Sequence, residues 1–140
     1  FFAGAQLASR CEGAWPRALD GAPFLIPGKE TAVRTPLMRW FDVHQIHPRI
    51  IGEFDDSALM QAFGQEGIGV FIAPSVIADE VRREHGVAVL GQTDEVTEQF
   101  YAISMERRLT HPAVIAITDT AHRELFASPD PGKSVLEEKE

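Results

Sequence analysis

Three carboxylates crowd the run Glu53-Phe54-Asp55-Asp56-Ser57. Oxygen donors at that density can hold a hard cation. The same residues can instead cap a helix and complement its dipole. Glu53, Asp55 and Asp56 are therefore candidates for cation sensing, with capping and solvation as the plainer alternative. A second group is Gly28-Lys29-Glu30-Thr31, with Arg34 close behind. A Gly-Lys turn ahead of a capping Thr can hold an anion on its backbone N–H groups. The alternative there is an exposed polar loop. A third group is His44-x-x-His47. Two histidines at i, i+3 can share a metal on a helix. Pro48 follows at once, however, which puts His47 past the helix end, and no further ligands lie nearby. A structural or surface role fits this pair better.

Chemistry of other kinds is missing from the pattern. The chain has no P-loop, no dinucleotide-binding glycine fingerprint, no nucleophile elbow and no zinc-protease helix. Ser57 and Ser75 stand where helices start and read as caps rather than nucleophiles. No enzyme and no cofactor is expected. A net charge of −8 in 140 residues, with the basic residues scattered, argues against a DNA-binding face on this chain. One cysteine excludes an internal disulfide framework and any cysteine-based zinc site, and suits a reducing cytoplasm. No apolar run is long enough to span a bilayer, so no membrane partner is expected. The chain starts inside an apolar segment without Met, which suggests a piece of something longer.

The elements that must position these groups alternate. Pro23 to Pro27 reads as a short buried strand between prolines. A helix follows from about Pro36 to Gln45, with Thr35 as its cap and Leu37, Trp40, Phe41 and His44 on one face. An earlier start capped at Thr31 is the alternative. Pro48 to Phe54 reads as a strand, and Asp55, Asp56 or Ser57 can cap a helix over Ala58 to Gln65 whose buried stripe is Leu59, Met60 and Phe63. After the Gly67-Ile68-Gly69 turn come a strand at Val70 to Ala73 and a helix capped by Ser75 to about Glu84. A short strand at Val87 to Leu90 and a longer one at Thr97 to Met105 follow. His111-Pro112 opens a last helix to about Phe126, with Val114, Ile117, Ala121 and Leu125 on one face. The end from Ser128 to Glu140 is rich in charge, Pro and Gly and reads as a frayed tail. Strand and helix in alternation give an α/β sheet with crossover helices. Ligands on such sheets sit beyond the carboxyl ends of the strands, at helix N-termini. The junctions at Gly28 to Thr35 and Phe54 to Ala58 fit that description.

The order of these segments resembles the LysR-type transcriptional regulators. The run from Leu19 to Gly28 is similar to the strand that opens the second subdomain of that family. Gly67 to Ser75 is similar to its G-x-G-(apolar)-x-x-(apolar)-P segment. Gly52 to Met60, Glu106 to Val114 and Arg123 to Phe126 resemble the branch that activates sodium–proton antiporter genes. The likeness runs from Phe1 to about Phe126. It implies an N-terminal winged helix-turn-helix and a periplasmic-binding-protein-like (type 2) effector domain of two α/β lobes with a cleft between them. On this reading residues 1–10 are a hinge strand and residues 11–98 the second effector lobe. Residues 99–126 are the return strand and helix to the first lobe, and residues 127–140 a flexible acidic tail. The DNA-binding domain and the early part of the first lobe are absent, so half the cleft is missing. The effector-facing loops would be Gly28, Lys29, Glu30 and Thr31 together with Asp55, Asp56 and Ser57, and Gly67-Ile68 is a third, weaker match. The implied partners are a small effector or cation, a second copy through the effector domains, and promoter DNA only through the missing domain. The helix after Thr35, with Arg39 on its outer face, is a candidate for the contact between copies. A solute-binding protein of the same fold class is the alternative.

Overall fold

The computed structural model describes residues 1–101, 103 and 111–125. They fall into two compact units, Phe1–Gln99 and the segment from Phe100 onward. At the centre of the first unit lies β2 (Pro23–Pro27), whose residues Phe24, Leu25 and Ile26 are all buried. A strand covered on both faces needs such an unbroken apolar run. Beside it runs β3 (Arg49–Phe54), parallel, with Pro23 opposite Arg49 and Pro27 opposite Phe54. On the other side of β2, Val70 bridges Phe24 in parallel, and the next residue, Phe71, bridges Phe2 antiparallel. Phe2 belongs to β1 (Phe2–Ala3), which pairs antiparallel with β4 (Ala88–Val89). Across the sheet the order is β3, β2, Val70-Phe71, β1, β4, and β1 alone runs against the rest. The strand expected at Val70 to Ala73 narrows to its first two residues.

Side chains alternate between the two faces of the sheet, as the strand period requires. Phe24 and Ile26 join Phe1, Ala3, Leu37, Trp40 and Phe41 in one core. Leu25 and Phe2 join Met60, Phe71, Val81 and Val87 in the other. The first face is covered by α2 (Arg34–Val43), the second by α3 (Ser57–Gln65) and α4 (Ala78–His85). The result is a three-layer α/β unit.

Several expected details differ. The helix α2 starts at Arg34, without a side-chain cap, so Thr35 is inside it rather than capping it. Pro36 sits in its first turn, where an N–H has no intrahelical acceptor, so the ring costs little. In α3 the buried positions are Met60 and Gly64, while Leu59 and Phe63 are 52% and 42% exposed. Gly64 explains the rotation: a Cβ there would run into the Phe71 ring, so only a glycine lets the helix approach on that side. Ser75 begins a short 3-10 turn, Ser75–Ile77, and makes no capping bond; α4 starts three residues later.

The sharpest difference lies near residue 100. Residues 97–101 and 103 take part in no β-ladder, and Ala102, Ser104 and Met105 lie outside the described residues. Tyr101 and Ile103 are 73% and 95% exposed. In the second unit, α5 (Pro112–Thr120) begins at His111, whose Nδ1 accepts the Ala113 N–H at 3.3 Å. A π-helical turn, Ala121–Leu125, continues it. Val114 and Ile117, on its expected apolar face, are exposed. The expected tail lies outside the described residues. Among the described residues no helix is long and apolar enough to cross a membrane.

Candidate functional site

Parallel pairing brings the carboxyl ends of β2 and β3 side by side. The Gly28 N–H donates to the Phe54 carbonyl at 2.7 Å, which joins the two junctions directly. Gly28 is needed there for space, because a Cβ would overlap the Asp55 carboxylate. The turn then closes on itself. The Thr31 N–H and hydroxyl both donate to the Gly28 carbonyl, at 3.1 and 2.7 Å. Thr31 is thus spent on its own turn, and Lys29 and Glu30 are left at the exposed tip.

A largely buried guanidinium braces the pair of junctions from below. Arg34 donates to the Pro27 carbonyl at 2.7 Å and pairs with the Glu53 carboxylate at 3.3 Å. Its side chain is 14% exposed against 43% for Glu53, so the bond to Pro27 is the better shielded part. At the second junction Asp56 caps α3, accepting the Leu59 N–H at 2.9 Å. Asp55 between them is exposed and makes no hydrogen bond or ion pair among the described residues. Of the three carboxylates, one is held by Arg34, one caps a helix, and one faces outward. No group of three or more metal-ligating side chains is arranged to hold a metal among the described residues.

A polar rim at the carboxyl pole of a parallel sheet, beside a helix start, is where open α/β sheets take ligands. Residues 3–125 match the family described as the LysR substrate binding domain. The chain belongs to this family. It is similar to Transcriptional activator protein NhaR of Escherichia coli (strain K12), with 36% identity over 116 residues, which is 83% of this chain and 38% of that protein. The protein of the same name from Shigella flexneri gives the same values. The chain thus spans well under half the length of these relatives. No solved structure matches it. The family implies a type 2 periplasmic-binding-protein-like fold, with which the mixed helix and strand seen here agrees.

In this LysR substrate binding domain the residues singled out by sequence do not all come together. Gly28 to Thr31 and Asp55 to Ser57 share one pole. Gly67-Ile68 lies at the opposite pole: it precedes Val70, which runs parallel to β2, and Gly69 packs on the Pro23 carbonyl. His44 and His47 part company as well. The His44 ring packs on Trp40 and meets Glu95 at 3.1 Å, while His47, beyond the end of α2, sits beside Asp20 at 3.5 Å. Sequence reasoning placed Arg34 near the first junction but missed its pairing with Glu53. The available signal was two opposite charges near one pole, Glu53 at the carboxyl end of β3 and Arg34 at the start of the helix that follows β2.

Proposed function

We propose that this chain is the effector-sensing part of a LysR-type DNA-binding transcriptional activator. The observation that carries the site is the Gly28 to Phe54 hydrogen bond, which makes one ligand-facing rim out of two separate loops. Residues 11–98 are the second lobe, entered by the hinge at residues 1–10. Residues 99–126 return to the first lobe, and residues 127–140 form a tail. The exposed Val114 and Ile117 of α5 and the exposed Tyr101 and Ile103 are the kind of apolar surface that a missing lobe would cover. Gly28, Lys29, Glu30, Thr31, Asp55, Asp56 and Ser57 form this chain's half of the cleft. The other half, like the DNA-binding domain, belongs to the rest of the regulator, and the protein works in the cytoplasm.

The effector is sodium or the proton balance that accompanies alkaline stress, and the output is transcription of sodium–proton antiporter genes. Asp55 is the carboxylate left to meet a cation, and the donors this lobe lacks come from across the cleft. A ligand that binds one arrangement of the lobes better than another shifts the regulator between states by that difference alone. Relatives that are transcriptional activators favour this reading over a solute-binding protein of the same fold.

The test is transcription from a sodium–proton antiporter promoter by the full-length regulator as NaCl replaces KCl. Asp55→Ala is expected to flatten the sodium response while leaving promoter binding intact. A sodium response that survives Asp55→Ala unchanged contradicts the assignment.

A further inference from the structure

A cavity of about 330 Å³ opens at the amino pole of the sheet, the end away from Gly28 and Asp55. The register puts Pro23 opposite Arg49, and the Arg49 N–H donates to the Ala22 carbonyl at 2.8 Å, which fixes one wall. The chain leaving α1 (Ala5–Ala8) forms the other, where the Cys11 N–H turns back onto the Leu7 carbonyl at 3.2 Å. Leu7 and Ala22 are buried and give the cavity an apolar floor. Arg10 and Arg49 line it too.

Neither guanidinium makes an ion pair among the described residues. Asp20, the lining carboxylate, is committed elsewhere: its Oδ1 accepts the His47 N–H at 2.7 Å and lies 3.5 Å from His47 Nδ1. In a chain of net charge −8, these two exposed arginines outnumber the one lining carboxylate and leave the cavity locally positive. Guanidinium forks match carboxylate geometry, and an apolar floor favours a ligand with a carbon body over a bare inorganic anion. The volume lies at the small end of the range for ligand pockets. Five strand residues separate this pole from the Gly28 junction, about 15 Å at the rise of a β-strand, so the two sites do not overlap.

We propose that this cavity binds a small organic carboxylate, with Arg10 and Arg49 taking the charge and Leu7 and Ala22 the apolar body. Cys11 is the one cysteine of the sequence and lines the same cavity, so its reactivity reports occupancy. The experiment measures the rate at which a disulfide reagent modifies Cys11 in the 140-residue chain at constant ionic strength. Cyclohexanecarboxylate and inorganic phosphate are the probes, and chloride is the reference. Cyclohexanecarboxylate is expected to slow the reaction saturably, with backbone amide shifts at Gly21, Ala22 and Cys11. Arg10→Gln with Arg49→Gln is expected to weaken that protection at least tenfold. The charge-matched pair Arg82→Gln with Arg83→Gln, on the far helix α4, is expected to leave it unchanged. Should the double variant not fold, Arg10→Gln alone is expected to weaken protection several-fold. No saturable protection overturns the proposal. So does protection that persists without the arginines, or phosphate protecting as well as the carboxylate. Shifts confined to Gly28 and Asp55 would place the ligand at the other pole and overturn it too.

Discussion

Removing the Arg34 guanidinium breaks two contacts at once, the bond to the Pro27 carbonyl and the pair with Glu53. Arg34→Ala is expected to cost about 1–2 kcal/mol, mostly from the shielded carbonyl, since partly exposed ion pairs contribute little. Glu53→Gln is expected to cost well under that, and urea unfolding of the two variants separates the contributions. Gly28 and Asp55 are expected to be coupled. Gly28→Ala pushes a methyl group into the Asp55 carboxylate, so its cost should fall by about 1 kcal/mol or more in an Asp55→Ala background. Equal costs in both backgrounds would show that the two residues do not touch. Asp20 gives the pH-dependent case. The His47 backbone N–H it accepts, helped by the His47 ring and Arg17, holds its carboxyl below the ordinary aspartate value. A depressed folded value means stability that is present above the unfolded pKa and lost as pH falls through the folded one. The stability gap between wild type and Asp20→Ala is therefore expected at pH 6 and expected to close in strong acid.

At the scale of elements, the helix ends are the clearest targets. Asp56→Ala is expected to destabilise the chain by about 1 kcal/mol through the lost cap on α3. Beyond α2, Gln45 adopts φ 55°, a left-handed conformation that glycine takes without strain. Gln45→Gly is expected to raise stability by up to about 1 kcal/mol, measured by thermal unfolding. The elements were largely legible in sequence wherever a local signal existed: Pro23 to Pro27, the α2 stripe of Leu37, Trp40 and Phe41, and the carboxylates before α3 all stand where expected. What was not legible depended on tertiary approach. Gly64 against Phe71 turns α3 by a notch, so that Met60 is buried and Leu59 is not. Of the strand expected from Thr97 to Met105, residues 97–101 and 103 carry no strand, and the rest lies outside the described residues. The site was half legible. Its two loops follow from strand-to-helix junctions, whereas the bond that joins them and the Arg34 to Glu53 pair follow from parallel register.

At the scale of the whole molecule, the surface is unfinished. The strand β3 has β2 as its only ladder partner among the described residues, and its Ile50 and Ile51 are 41% and 40% exposed. Open edges with apolar side chains invite pairing. The chain is expected to self-associate reversibly in sedimentation runs, and Ile50→Asp with Ile51→Asp is expected to keep it monomeric. A wild-type chain that stays monomeric at millimolar concentration would contradict that. On the proposed reading sensing belongs to the same scale, since the rim at Gly28 and Asp55 would form one side of a cleft. The most direct measurement follows the backbone amides of the intact two-lobed effector domain as NaCl replaces KCl at constant ionic strength. Saturable shifts gathered at Gly28 to Thr31 and Asp55 to Ser57, and lost in Asp55→Ala, are the predicted result. No selective shift at those residues, or the same shifts with either salt, would contradict it.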